Sequence, residues 1–255
     1  MKKSFTIIAT PKTFKGIHKI RQYNAITSWK HLRPEPPIIL CGDEYGIKTA
    51  VKDLGCEHLP DVLCDRDGMP LISDLFKRTQ EFIHTDLTVY VNCDILLPPN
   101  FPEALFLVAD QFPDFLMVGS RWDTNVSEPV VFDDTWHRRL LAQGGRVHQP
   151  GGTDYVAFPR EHWENINIAP FAIGRCRWDN YIIGSEVDRG IPVVDATKMV
   201  TVFHQDISVR ERRKESKQDK VYVELYRVLR IKRMGNLTDT QWMLSKDGKL
   251  EKRWP

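Results

Sequence analysis

The 255-residue chain lacks the glycine-rich signatures of the most familiar nucleotide-binding folds. No Gly-x-Gly-x-x-Gly follows the first apolar run and no Gly-x-x-x-x-Gly-Lys-Ser/Thr occurs, so neither a dinucleotide-type Rossmann domain nor a P-loop is supported. A Gly-x-Ser-x-Gly sequence is absent as well, so nothing points to the nucleophile elbow of an α/β hydrolase.

Cysteines are few and lack a metal-binding or redox pattern. The five of them are Cys41, Cys56, Cys64, Cys93 and Cys176. Their number is odd and no Cys-x-x-Cys pair occurs, which argues against structural zinc and against a redox dithiol. We expect reduced thiols, which are typical of a cytoplasmic protein.

Charge of one sign and long apolar runs are also missing. The formal net charge is +2 and the sequence pI is near 8.2, so we expect no nucleic-acid partner. The run from Phe5 to Ala9 behind Lys2-Lys3 is too short for a signal peptide, and nothing approaches the length of a membrane span.

The first half of the chain alternates strand-like and helix-like segments. Strands are predicted at 5–10, 37–40, 58–62 and 87–94. Helices are predicted at 17–29, with an apolar face at three-residue steps from Ile17 to Trp29, at 46–54, and from an N-cap at Ser73 to Ile83. This succession predicts an α/β fold with a mostly parallel sheet and crossover helices.

The second half is less regular. Strands are predicted at 115–118, 155–158, 192–195 and 199–203, and a helix near 180–189. With 42% hydrophobic residues, the chain can bury the core of one large globular unit. We expect a parallel α/β half followed by a mixed half.

The strand that runs into Asp94 is the most informative segment. Asp94 comes where the chain should leave the sheet, before Pro98-Pro99, with the amide of Asn92 two residues earlier. Ligands bind at that edge of open α/β sheets. A carboxylate and an amide there can hold a hard divalent cation against a diphosphate, although an aspartate that caps the next turn would look the same.

Four further features fall at matching places along the chain. A loop with two lysines, Lys12 and Lys15, follows the first strand; Asp43 follows the second; Asp179 opens a late helix; and His204 follows a late strand. With Asn92-Cys93-Asp94 standing for an Asp-x-Asp motif, the pattern over residues 4–206 resembles the GT-A glycosyltransferases. These enzymes transfer a sugar from a nucleoside diphosphate donor on one Rossmann-like sheet.

The resemblance implies how the chain is organised and what it does. Residues 1–206 would form a single GT-A domain, with a nucleotide-binding half (1–100) and a mixed acceptor-binding half (101–206). Residues 207–255 would form a helical and hairpin tail packed on or near that domain. The acceptor hydroxyl would belong to a glycan, a lipid-linked molecule or a small molecule.

The resemblance also assigns roles to residues. Asp94 would be the main ligand of Mn²⁺ or Mg²⁺, and the imidazole of His204 would favour manganese, with Asp206 as its substitute. Asn92 departs from the family pattern, so the metal site has one carboxylate fewer. The donor would be contacted by Thr10, Pro11, Lys12, Lys15, Asp43, Asn92 and Asp154.

Asp179 and the 149–154 loop can each be interpreted in two ways. Asp179 precedes an apolar helical stretch, so it can cap the helix or lie in its first turn. In an inverting enzyme the same carboxylate would accept the proton of the attacking hydroxyl, and in a retaining one it would orient a substrate. Asp154 and Thr153 follow paired glycines and can bind sugar hydroxyls or form a turn before a strand.

The C-terminal tail combines a charge run with an amphipathic pattern. Arg210 to Lys217 predicts a solvated helix face or loop, and apolar residues from Val221 to Leu229 alternate with basic ones. Such a helix can dock on an anionic membrane or on the protein's own core. Asp247-Gly248 predicts a hairpin turn.

Two other functions remain open from the sequence. A sugar-phosphate nucleotidyltransferase uses a related sheet and metal, but the segment from Pro11 to Gly16 is not its glycine-rich, arginine-containing loop. A non-catalytic module that binds a sugar nucleotide or glycan would keep the nucleotide loop without needing Asp179.

Overall fold

The central strands bury side chains on both faces, as parallel strands between two helical layers do. All five residues of β1 are buried: Phe5, Ile7 and Ala9 face one apolar cluster, and Ile8 faces another. The computed structural model describes residues 3–164, 166–175, 177–207 and 217–253, with the backbone alone for 217–222.

The described part of the chain forms thirteen strands and seven α-helices. The strands are β1 (Phe5–Ala9), β2 (Ile38–Cys41), β3 (Glu57–Leu59), β4 (Leu87–Val91), β5 (Ile95–Leu96), β6 (Leu116–Val118), β7 (Arg121–Asp123), β8 (Arg146–Val147), β9 (Tyr155–Pro159), β10 (Val193–Asp195), β11 (Val202–His204), β12 (Trp242–Leu244) and β13 (Leu250–Lys252). The helices are α1 (Gly16–Lys30), α2 (Ile47–Leu54), α3 (Ile72–Thr79), α4 (Phe101–Gln111), α5 (Trp136–Ala142), α6 (Trp178–Asp188) and α7 (Lys217–Val228).

Nine strands form the main sheet in the order β13-β12-β10-β6-β9-β4-β1-β2-β3. Its pairings are parallel except those of β9 with β4 and β6 and of β13 with β12, which are antiparallel. Helices α1, α2 and α4 pack on one face, and α3 and α6 on the other. The predicted α/β class, a mostly parallel sheet flanked by helices, is confirmed.

A smaller sheet in the order β5-β11-β7-β8 adjoins the main one. Strand β11 pairs antiparallel with β5 and parallel with β7. Strands β5, β7 and β8 and helices α4 and α5 were not predicted from the sequence. The three strands and α5 are at most seven residues long, which is too short for a periodic pattern to be visible, whereas α4 has eleven residues.

Helix α1 buries only part of the predicted face. Ile17 and Ile20 are only partly buried, whereas Gln22 and Asn24 are buried beside Trp29. A strict three-residue step drifts off one face of a helix with 3.6 residues per turn, so the first two residues of the apolar series leave the buried face, whereas Ile26 and Trp29 lie on it. The buried amides are hydrogen-bonded: Gln22 holds both the N–H and the carbonyl of Lys12.

Other predicted boundaries need correction too. Helix α3 begins after Leu71, and Ser73 is not its N-cap. Residues 82 and 83 lie beyond its end, and strand β3 is shorter than predicted. The four described cysteines are free, and Cys176 lies outside the described residues.

The C-terminal tail contributes to the main sheet. The predicted hairpin is confirmed, since β12 and β13 flank the turn at Asp247-Gly248, and β12 pairs with β10. Tyr226 of α7 is buried against Phe171, so this helix docks on the protein's own core. The charge run at 210–216 lies outside the described residues, and a membrane contact of α7 stays a prediction. In the described residues, no helix combines the length and apolar character needed to cross a bilayer.

Candidate functional site

The carboxyl ends of β1, β2 and β4 meet at one edge of the main sheet, where their loops surround a cleft of about 560 Å³. Strand β9 runs the opposite way, so the residue before it, Asp154, reaches the same edge. The predicted residues that line the cleft are Thr10, Pro11, Lys12, Asp43, Asn92, Asp94, Asp154 and His204. Eight separately predicted positions therefore share one cavity.

Asp94 lies in the turn between β4 and β5, with its side chain 18% exposed. Lys12 Nζ donates to its Oδ2 at 2.9 Å, and His204 Nε2 lies 4.0 Å from the same oxygen. Burial alone would raise the pKa of Asp94, but Lys12 and His204 outweigh it and hold that pKa below its usual value. The carboxylate is therefore ionised at neutral pH.

The backbone fixes Asp94 and His204 side by side. In the β5–β11 pair His204 is opposite Ile95, the residue after Asp94. Gln205 adds a side-chain hydrogen bond of 2.9 Å to the Asp94 carbonyl. Two residues 110 positions apart are thus placed by strand register and by a buried amide.

The amide of Asn92 is engaged on both sides. Its Oδ1 accepts from the hydroxyl of Tyr90 at 3.0 Å, and its Nδ2 donates to Asp154 at 2.7 Å. Tyr90 in turn shares a hydrogen bond of 3.2 Å with Thr10. Asn92 therefore links β1, β4 and β9 across the floor of the cleft.

Two charged residues that the sequence reading missed complete this floor. Arg121 of β7 lines the cleft and donates to Asp154 and, at 2.8 Å, to Asp123. Asp123 is buried and also contacts His148 at 2.7 Å and His204 at 3.3 Å. Burial would raise the pKa of Asp123, but these cationic and hydrogen-bonding neighbours lower it on balance.

The position of these two residues in the sequence could have predicted that they lie at the cleft. The segment Arg121-Trp122-Asp123 follows the predicted strand at 115–118 by two residues, at the same edge of the sheet. His148 comes close because Gly152 has no side chain. A Cβ on Gly152 would lie 2.5 Å from the His148 ring.

The donors beside Asp94 fit a divalent cation. His204 Nδ1 lies 3.0 Å from the Asp206 carbonyl and 3.3 Å from Asp123, two acceptors, so in the neutral ring Nδ1 carries the hydrogen and Nε2 has the lone pair. Ligands on an ion with bonds of about 2.1 Å lie about 3 to 4.2 Å apart, and the 4.0 Å separation falls in that range. In the described residues, no group of three or more His, Cys, Asp and Glu side chains is arranged to hold a metal ion, so phosphate and water would supply the other ligands.

Asp179 lies in the first turn of α6, as predicted, but the N-cap position belongs to Arg177. The backbone N–H of Thr153 lies 3.4 Å from its Oδ2, which ties Asp179 to the loop that carries Asp154. Burial raises the pKa of Asp179 to about 6, against the opposing effect of backbone N–H groups. Its neighbour Trp178 lines the cleft.

Three predicted positions have other partners. Lys15 lies over the ring of Tyr45, 4.1 Å from its centroid, and is not among the residues that line the cleft. Asp43 lies at the cleft, with Lys48 Nζ 3.5 Å away. Asp206 pairs with Arg21 at 2.8 Å.

Comparisons with known proteins show the fold. No protein-family model and no curated protein matches the chain. Among solved structures, glucosyl-3-phosphoglycerate synthase from Mycobacterium tuberculosis, in complex with Mn²⁺, uridine diphosphate and phosphoglyceric acid, aligns with 99% of this chain and 87% of its own, at 16% identity and a TM-score of 0.51. A second structure of an M. tuberculosis glucosyl-3-phosphoglycerate synthase aligns over 84% and 74%, at 17% identity and a TM-score of 0.50. The GT-A fold predicted from the sequence is thereby confirmed.

Proposed function

We propose that this protein is a glycosyltransferase that moves a sugar from a nucleoside diphosphate donor to an acceptor hydroxyl with the help of a divalent cation. The observation that carries the proposal is the convergence of Lys12, Asp94 and His204 in one cleft, with Asp179 beside it. A GT-A fold of which a similar structure contains Mn²⁺ and uridine diphosphate supports this assignment.

Asp94 and His204 would hold the cation, which would act as a Lewis acid that neutralises the charge developing on the leaving diphosphate. The carboxylate is ionised and the imidazole presents Nε2. Asn92 would act indirectly, because its hydrogen bonds to Tyr90 and Asp154 keep the floor of the cleft in place.

The charges around the cleft favour binding of the cation before binding of the diphosphate. Lys12 and Arg121 oppose the carboxylates of Asp94, Asp123 and Asp154, and Asp43 and Glu44 also line the cleft, so negative charge is in excess when the imidazoles are neutral. A divalent cation would offset part of this excess and make the cleft more favourable for a diphosphate. Once the cation holds Asp94, the Lys12 ammonium, 52% exposed, is available to donate to a phosphate oxygen.

Asp179 is the candidate acceptor base. A carboxylate with a pKa of about 6 is mostly ionised at neutral pH, yet basic enough to accept a proton in the transition state. Thr153 holds it next to Asp154, whose own carboxylate is occupied by Arg121 and Asn92. Asp154 thus orients groups at the cleft while Asp179 would take the proton.

The test follows nucleotide release from a panel of nucleoside diphosphate sugars with Mn²⁺, with and without mixed sugar acceptors. We expect the wild-type protein to release a nucleoside diphosphate. Asp179→Asn should release it at least about 10²-fold more slowly while binding uridine diphosphate equally well. Equal rates for the variant and the wild type would remove Asp179 from the chemistry. Nucleotide binding without turnover of any donor would favour a non-catalytic binding module.

A further inference from the structure

The first turn of α6 is held in an unusual backbone conformation. Arg177, which precedes the helix, has a φ of +74°, in the left-handed region that non-glycine residues seldom adopt. Such a residue persists only where its surroundings fix it. Asp179, two residues further on, is the candidate base.

The contacts that fix this turn come from the C-terminal strap, which we define as residues 225–237. The hydroxyl of Tyr226 donates to the Arg177 carbonyl at 2.8 Å. Gly235 donates its N–H to the Asn180 carbonyl at 2.9 Å and accepts from the Asn180 side chain at 2.7 Å. The strap therefore holds the residues on both sides of Asp179.

The strap also approaches α6 more closely than a side chain would permit. A Cβ on Gly184 would lie 2.4 Å from the carbonyl oxygen of Arg233, a backbone atom that cannot rotate away. Leu237 N–H donates to the Pro150 carbonyl at 3.2 Å, in the loop whose Thr153 contacts Asp179. The far end of the strap leads into β12 of the main sheet, so its position is fixed by strand pairing.

We propose that the C-terminal strap belongs to the active-site scaffold, and that Tyr226 is a positioning residue that holds the first turn of α6 so that Asp179 faces the acceptor. The role assigned to Asp179 rests on the proposed function. The hydrogen bond from Tyr226 stabilises the left-handed conformation at Arg177. Without it, residue 177 relaxes and the Asp179 carboxylate becomes more exposed to water.

The chain offers matched variants for a test. Tyr226→Phe keeps the ring packed against Phe171, 4.9 Å away, and removes only the hydroxyl. Tyr23→Phe removes a hydroxyl that donates to Asp53 at 2.9 Å on the surface of α1, and serves as the control. Gly184→Ala displaces the strap directly by steric overlap.

The measurement is a carbon-detected NMR titration of the Asp179 carboxyl in the substrate-free protein, assigned by its loss in Asp179→Asn. Wild type and Tyr23→Phe should titrate near pH 6, whereas Tyr226→Phe and Gly184→Ala should titrate lower because the carboxylate becomes more exposed to water. Turnover should fall about fivefold in Tyr226→Phe, as expected for one hydrogen bond, at unchanged affinity for uridine diphosphate. A wild-type midpoint in Tyr226→Phe would overturn the proposal, even if Gly184→Ala fails to fold. Because the titration needs no substrate, its result stands apart from that of the transfer assay.

Discussion

His204 Nε2 faces Asp94 Oδ2 at 4.0 Å because the strands that carry or adjoin these residues pair with each other. The Nδ1 side of the same imidazole is held by the Asp206 carbonyl and by Asp123. The ring can therefore offer Nε2 to a cation without rotating. An imidazole preorganised in this way binds a metal without the cost of reorienting its ring.

His204→Gln should weaken Mn²⁺ binding by more than about tenfold, because a metal loses an imidazole whose orientation the protein has fixed. Asp206→Asn is the matched comparison. Its carboxylate pairs with Arg21 at 2.8 Å, and the substitution keeps the backbone carbonyl that contacts His204. Manganese affinity measured by electron paramagnetic resonance should be close to wild type in Asp206→Asn. An equal loss in both variants would show that Asp206 also binds the metal.

Lys12→Ala and Lys15→Ala should differ although the residues are three positions apart. Lys12 reaches Asp94 inside the cleft, whereas Lys15 lies over the ring of Tyr45. Lys12→Ala should weaken uridine diphosphate binding by roughly tenfold, as expected for loss of a charge-assisted hydrogen bond. Calorimetric titration of uridine diphosphate into each variant measures this difference. If Lys15→Ala costs as much as Lys12→Ala, both lysines contact the diphosphate.

Asp123→Asn should reduce Mn²⁺ affinity by about 10- to 100-fold although Asp123 would not bind the metal itself. The reason is that second-sphere carboxylates fix the orientation of the ligating histidine. The same change also removes a negative charge beside Arg121. Asp110→Asn removes an equal charge near Lys3 and provides the control. Wild-type manganese affinity in Asp123→Asn would assign Asp123 to fold stability alone.

Asp179→Asn should change stability with a defined pH dependence. The folded-state pKa of about 6 lies above that of an unfolded aspartate, so the folded protein binds the extra proton and wild-type stability falls as the pH rises from about 4 to 6. The variant does not lose stability over this pH range, because asparagine does not titrate. Its melting temperature should match wild type near pH 4 and equal or exceed it above pH 6.5. A variant less stable than wild type at pH 7.5 would contradict the raised pKa.

Local pattern was enough to predict the nucleotide-binding half of the site. Asp94 and Asp43 each follow a buried strand. Their positions in the sequence were therefore enough to predict that they lie at the edge of the sheet. Parallel strands deliver their carboxyl ends to one side, which brought these residues together in the cleft.

Long-range pairing decided the rest. Asp123 contacts His204 because β7 lies beside β11, a pairing across about eighty residues between strands of three residues each. No periodicity reports such a contact. The role of Asn92 also depends on long-range contacts. The sequence suggested that its amide was free to bind a metal, but in the structure this amide is hydrogen-bonded to Asp154 and Tyr90.

The most direct test of the account is a calorimetric titration of uridine diphosphate into the wild-type protein with and without Mn²⁺, repeated with Asp94→Asn and with Asp110→Asn as the charge-matched control. We expect Mn²⁺ to raise the affinity at least about tenfold in the wild type and in Asp110→Asn, because Asp94 would hold the cation and the cation would neutralise charge on the diphosphate. The enhancement should disappear in Asp94→Asn while the fold is retained. An affinity that is the same with and without Mn²⁺, or an enhancement that survives in Asp94→Asn, would contradict the account.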